Sequence, residues 1–289
     1  HGDYGRFYGD YDDRQAPRAF RQKIVPTHLQ DVKMAFLSVR SLIKRFDGLT
    51  ALNSFSLDVE EGEIVGIIGP NGSGKTTFFN VLSGMYQADG GEVLFNNHPV
   101  NLLKLKTHQI IGLGIARTFQ NQRPFNNLSV LENLMIGGHC RTRAGLFSAL
   151  LRLPGACKER RQLKAHAREV MALFGDRLRS VEMNPAWTLS YANRRRLEIA
   201  RALTSDGKLL LIDEPTAGMN PAESLQLAQT IQAINKRGMA VLVIEHDMNF
   251  IKKLCSRVIA LDYGQKIAEG SYDEIRNHPK VIEAYLGRD

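Results

Sequence analysis

The chain has 289 residues, 43% of them hydrophobic and 24% charged, with a formal net charge of +8. That apolar content excludes a disordered chain, and three cysteines are too few for a disulfide scaffold. No stretch reaches the roughly 18 uncharged apolar residues of a membrane-spanning helix; the longest greasy segment, Gly145 to Cys157, is broken by Arg152. The charge is concentrated, because residues 137–208 carry 15 Lys and Arg against 6 Asp and Glu. A solvated helical face is the simplest reading of such a segment, although nucleic acid, anionic lipid or an acidic partner would also suit it.

In chain order, residues 1–33 mix Gly, Tyr, Asp and Arg without a helix or strand period. They read as an N-terminal extension, disordered or added upstream of Met34, and no function is assigned to them. Strands follow at SVRSLIKRF and SFSLDVE, joined by a turn at Asp47-Gly48. The short run Glu63 to Gly69, rich in β-branched residues, suits a strand covered on both faces. After it come a glycine-rich loop and TTFFNVLSGMY at helical period. Gly90-Gly91 reads as a turn, and EVLFNNHPV as a hairpin arm. Residues 121–203 read as helical. Strand and helix then alternate: LLLI at 209–212, a helix from Pro221 closed by Gly238, AVLVI at 240–244, the helix NFIKKLCSR, the hairpin VIALDYGQKIAEG, and a last helix at VIEAYLG. The pattern predicts an α/β domain around a mostly parallel sheet, interrupted by a helical insertion.

Cys140, Cys157 and Cys255 form no C-x-x-C pair, and the eight histidines no H-E-x-x-H, so no structural zinc is expected. The chemistry lies elsewhere. Gly69-Pro70-Asn71-Gly72-Ser73-Gly74-Lys75-Thr76 matches G-x-x-x-x-G-K-[ST] and sits between a predicted strand and a predicted helix, the context that motif requires. Glycines let backbone N–H groups turn inward around a phosphate, and the helix N-terminus adds its positive end. Lys75 would reach the β- and γ-phosphates, and the Thr76 hydroxyl would hold Mg²⁺. A second motif closes an apolar strand with Asp213-Glu214. These carboxylates emerge at the C-terminal edge of the sheet, where open α/β sheets bind ligands. Asp213 would hold Mg²⁺, directly or through water, and Glu214 would orient or deprotonate an attacking water.

Three further segments keep a fixed order with these two motifs: IARTFQ ending at Gln120, Leu189-Ser190-Tyr191-Ala192-Asn193 before RRRLEIARAL, and VIEHD containing His246. The set, from Met34 to about Gly287, resembles the ATP-binding subunit of an ABC transporter. The resemblance implies a P-loop, RecA-like nucleotide-binding domain over 34–289, with an antiparallel β subdomain and an inserted α-helical subdomain at about 121–203. It implies that Phe46 stacks on adenine, that residues 69–77, including Thr77, cradle the phosphates, and that Gln120 touches Mg²⁺ and water. By the same resemblance His246 contacts the γ-phosphate, and Ser190 serves the ATP held by a second cassette. Asn220 stands where many cassettes carry Asp, in a loop that crosses the dimer interface. LSYAN departs from the usual L-S-G-G-Q; a positive φ at Ala192 would cost roughly 1 kcal/mol or more.

The segments GIARTFQNQRPFNNLSVLENLMIG, DEPTAGMNPAE and VIEHDMNFI, together with the helical insertion, are similar to the branched-chain amino acid importer group. That similarity implies ATP and Mg²⁺ as ligands, and as partners a second cassette (self or paralogue), two membrane permease subunits docking near 120–134 and, indirectly, a periplasmic or extracellular binding protein. Nucleic acid is not an expected partner. The location implied is the cytoplasmic face of the membrane. Urea and amide importers share much of the pattern, and the lipopolysaccharide export cassette resembles it less. Soluble ABC ATPases usually join two cassettes or carry a long coiled coil, and neither is visible here.

Overall fold

The computed structural model describes residues 35–96, 101–118, 124–141 and 154–286. The expected N-terminal extension, Gln120, and the apolar part of the insertion at 142–153 lie outside the described residues.

β1 (Leu37–Phe46) and β2 (Leu49–Val59) pair antiparallel across the Asp47-Gly48 turn. β4 (Gly90–Phe95) pairs with the other edge of β1, giving a three-stranded sheet in the order β2-β1-β4. Gly90 and Gly91 open the strand instead of forming a turn before it, and β4 is no hairpin arm because its partner lies far upstream. The glycines sit where the β1–β4 register shifts, between Arg40 and Ile43. A Cβ on Gly91 would fall 2.7 Å from the Arg40 carbonyl oxygen, so close backbone approach, not chain reversal, explains glycine there.

The second sheet has six strands in the order β5-β6-β7-β3-β8-β9. They are β3 (Ile64–Ile68), β5 (Ile115–Arg117), β6 (Leu209–Asp213), β7 (Ala240–Ile244), β8 (Arg257–Asp262) and β9 (Gln265–Gly270). All neighbours run parallel except β8 and β9, the expected hairpin. Every residue of β3, β6 and β7 is buried, as strands covered on both faces must be. Alternation divides them between two cores. Val65, Ile67, Leu211 and Leu242 meet Phe78, Phe79 and the antiparallel sheet, whereas Ile64, Ile68, Leu210 and Val243 meet helices on the opposite face.

The helices are α1 (Lys75–Leu82), α2 (Thr107–Gly112), α3 (Val130–Gly137), α4 (Pro154–Ala172), α5 (Asp176–Arg179), α6 (Tyr191–Leu203), α7 (Pro221–Asn235), α8 (Met248–Leu254), α9 (Tyr272–Arg276) and α10 (Pro279–Leu286). Starts are set by caps: Ser129 with Glu132, Asn220 with Glu223 and a proline behind it, and Ser271 with Glu274 each close a reciprocal pair of bonds. The described part of 121–203 holds α3 to α6 and no strand beyond one isolated bridge between Ser129 and Pro185. Among the described residues no helix is long and apolar enough to cross a membrane.

Candidate nucleotide site

β3 delivers the chain to Gly69, and α1 begins at Lys75. Between them two glycines are demanded by angle and space together. Gly69 has φ +152°, and a Cβ there would lie 2.1 Å from the Leu261 carbonyl oxygen. Gly74, the N-cap of α1, has φ +108°, and a Cβ would lie 2.4 Å from the Ala51 carbonyl oxygen. No L side chain fits either position. The loop is pressed between β8 and β2, and the Gly264 N–H in the β8–β9 turn donates to the Ser73 carbonyl at 2.9 Å. The first bond of α1 runs from Phe78 N–H to Gly74 C=O at 2.9 Å. The N–H groups of Lys75, Thr76 and Thr77 therefore face out from the first turn, where an anion fits them. Asn71 and Gly72 are exposed on the loop, and Ser73 is buried.

Lys75 is 6% exposed. Its Nζ donates to the carbonyls of Gly69 at 2.7 Å and Pro70 at 2.8 Å, so the ammonium lies inside its own loop. Burial pushes its pKa down, and the negative charges of Glu214 and Asp213 oppose that.

β6 ends in Asp213, which is 1% exposed. Neither of its carboxylate oxygens has a hydrogen-bond partner among the described residues. Arg117 Nη2 stands 3.6 Å from Oδ2, an ion-pair distance and too long for a hydrogen bond. Burial raises the Asp213 pKa first of all, and Arg117 works against that. A buried carboxylate with unused lone pairs has the chemistry of a hard-cation ligand, so the residues present fit Mg²⁺.

Glu214 follows at φ +47°, a left-handed conformation that costs a non-glycine residue roughly 1–2 kcal/mol. Its N–H donates to the Ile244 carbonyl at 2.9 Å, and its Oε1 lies 3.3 Å from His246 Nε2. Such strain is retained where neighbours over-determine it. Here the neighbour is Glu245, a buried carboxylate that accepts from the backbone N–H groups of Thr216 (3.1 Å), His246 (3.0 Å) and Asp247 (3.3 Å). It stitches the loop after β6 to the loop after β7, and so sets the approach of Glu214 to His246.

Sequence reasoning missed Glu245 and Arg117. Glu245 looks like an ordinary polar residue at a strand end. Arg117 carried one signal, a charge at the end of an apolar strand; its Nη1 donates to Ser83 Oγ at 2.7 Å, and its guanidinium lies 5.7 Å from the centre of the Phe79 ring. It thereby ties the end of α1 to the acidic strand. The lead-in to Gln120 is held too, with Thr118 N–H donating to Leu211 C=O and Thr118 Oγ1 accepting from Asp213 N–H.

Phe46, at the end of β1, is 37% exposed, with its ring edge-on to Tyr86 at 5.3 Å and Lys44 Nζ 4.9 Å from its centre. Ser190 is the N-cap of α6 and accepts from Asn193 N–H at 3.3 Å; among the described residues no hydrogen bond joins it to the cradle. Ala192 lies inside α6 and is not among the residues with positive φ, so the anticipated backbone cost does not arise. Tyr191 has a visible reason: a Cβ on Gly218 would meet its ring at 2.8 Å, so the ring lies flush against the segment leading to Asn220.

Lys75, Asp213, Glu214 and His246 thus gather where β3, β6 and β7 end, around one anion cradle and one cation-ready carboxylate. The ABC transporter family model matches residues 52–217, and the model for the branched-chain amino acid ATP-binding cassette transporter matches 265–289. The chain is 40% identical over 254 residues to the high-affinity branched-chain amino acid transport ATP-binding protein LivG of Escherichia coli, covering 87% of this chain and 97% of that one. It is 37% identical over 252 residues to BraF of Pseudomonas aeruginosa, with the same coverage. The crystal structure of an ABC transporter ATP-binding cassette in its ADP conformation superposes with a TM-score of 0.76 at 31% identity, over 88% of this chain and all of that one. The chain belongs to the ABC transporter ATP-binding family, in its branched-chain amino acid group.

Proposed function

We propose that this chain binds and hydrolyses ATP to drive a branched-chain amino acid importer. The observation that carries the reading is the convergence just described: a loop built for phosphate, a buried carboxylate with no hydrogen-bond donor among the described residues, and a strained Glu214 beside His246. The phosphates lie in the cradle of residues 69–77, on the outward N–H groups of Lys75, Thr76 and Thr77 and on the Lys75 ammonium, with the adenine on Phe46. Thr76, Asp213 and Gln120 would hold Mg²⁺, which when bound neutralises charge on the phosphate oxygens. Glu214 orients and deprotonates the attacking water, and His246 holds the γ-phosphate side of the reaction.

One chain supplies only half of each site. Ser190 and the N-terminus of α6 make no hydrogen bond to the cradle among the described residues, which supports their service to ATP held by a second cassette, a copy or a paralogue. ATP then joins two cassettes and its hydrolysis separates them, a two-state element biased by one phosphate. Exposed Phe125 and Ile136, in and just beyond the 120–134 stretch, support docking on two permease subunits at the cytoplasmic face of the membrane. A binding protein on the far side delivers cargo. Cargo choice rests on the likeness to LivG and BraF.

The test is reconstitution with the cognate permeases in vesicles. Leucine-type uptake that requires the binding protein and Mg·ATP is expected. Uptake of urea or amides instead would move the cargo, and failure of the purified chain to bind Mg·ATP would remove the ATPase reading.

A further inference from the structure

The phosphate loop is touched by an element distant from it in sequence, the C-terminal helix α10. Gly69 N–H donates to the phenol oxygen of Tyr285, 2.9 Å away, and Tyr285 lies on α10, near the end of the described chain. The same residue uses its other polar group toward the cradle, because Gly69 C=O accepts from Lys75 Nζ at 2.7 Å. A single glycine therefore joins the C-terminal helix to the phosphate-binding ammonium. Gly69 has little freedom to absorb a change. It is wedged against the Leu261 carbonyl, and Pro70 follows it. Shifting the Tyr285 anchor would displace the carbonyls on which Lys75 rests.

We infer that Tyr285 is a positioning residue for nucleotide binding: its phenol sets the mouth of the phosphate loop and makes nucleotide affinity depend on where α10 sits. α10 is held by few apolar contacts. Val281 is buried, whereas Ile282 and Leu286 are exposed on the same helix. It is thus an element that a small force can move, and coupling of this kind is reciprocal: what strains α10 weakens nucleotide, and nucleotide steadies α10. The inference rests on the nucleotide-binding reading above.

The experiment measures equilibrium binding of Mg·ADP and Mg·ATP to the full chain and to Tyr285→Phe, which removes one oxygen and keeps the ring. Thermal unfolding midpoints without nucleotide are recorded in parallel. Loss of one hydrogen bond that holds the loop should weaken both nucleotides about 3- to 10-fold, alongside a modest fall in the midpoint from the orphaned Gly69 N–H. Unchanged affinity, whether or not the midpoint falls, would show that the phenol only satisfies a buried N–H and would overturn the inference. If Tyr285→Phe does not fold, hydrogen exchange on the wild-type chain decides: Mg·ADP should slow exchange across 279–286, and no change there would overturn it. A wild-type chain that binds no nucleotide would instead remove the functional reading beneath it.

Discussion

Replacing Glu214 by Gln tests the chemistry most directly. The substitution is nearly isosteric, and both side chains meet the same φ of +47°, so the backbone strain is unchanged. The contact of 3.3 Å to His246 also survives, as an amide-to-imidazole contact instead of a carboxylate one. What disappears is the proposed base. A positioned general base is worth about 10²- to 10⁴-fold, or roughly 3–5 kcal/mol of barrier at 1.36 kcal/mol per decade. On the proposed reading, ground-state binding rests on Lys75 and the loop N–H groups, which the change does not touch. Phosphate release by the assembled transporter should therefore fall at least 100-fold while ATP affinity stays within about 3-fold. Two cassettes should also remain joined by ATP for longer, readable by sedimentation. Turnover above about a tenth of wild type would refute the role given to Glu214, because no other described carboxylate pairs with His246.

Lys75→Ala removes a charge-assisted donor worth about 1.5–3 kcal/mol, so ATP affinity should drop about 10- to 150-fold; calorimetry showing intact nucleotide capture would sink the phosphate assignment. Asp213→Asn leaves the loop whole but takes away the buried anion, so nucleotide should bind in EDTA as before and lose its gain on adding Mg²⁺; a preserved Mg²⁺ response would place the cation elsewhere. Ser190→Ala deletes the cap of α6 at a cost of about 1 kcal/mol in unfolding. It should also slow hydrolysis at the partner's ATP without weakening binding to the isolated chain, and a drop in that binding would contradict the division of the site between two cassettes.

The site was readable in large part because its two main motifs are local. The glycines of 69–74 follow from the φ angles and the close backbone contacts of one loop, and the apolar runs at 64–68, 209–213 and 240–244 are fully buried, as continuous apolar strands should be. What escaped depends on pairing across long separations. Gly90-Gly91 resembles a turn until β1 is laid beside it. Arg117, Glu245 and Tyr285 become informative only once Asp213, Thr216 and Gly69 are brought to them by the fold. Phe46 and Ser190 entered through the family resemblance; a lone aromatic or serine carries no periodic signal.

The strand order also says something about how the molecule is made. β3, which carries the phosphate loop, sits between β7 and β8, while β5, β6 and β7 pair among themselves. A nascent chain thus exposes its phosphate loop long before the strand that will anchor it has left the ribosome, since Ile64 pairs with Val241. Such distant parallel pairing is slow to form. Cellular nucleotide at 100 times its dissociation constant would favour the finished state by about 2.7 kcal/mol. The fuel of the working machine would then also help select correctly completed copies of it, and refolding yields should rise when nucleotide is included in the buffer.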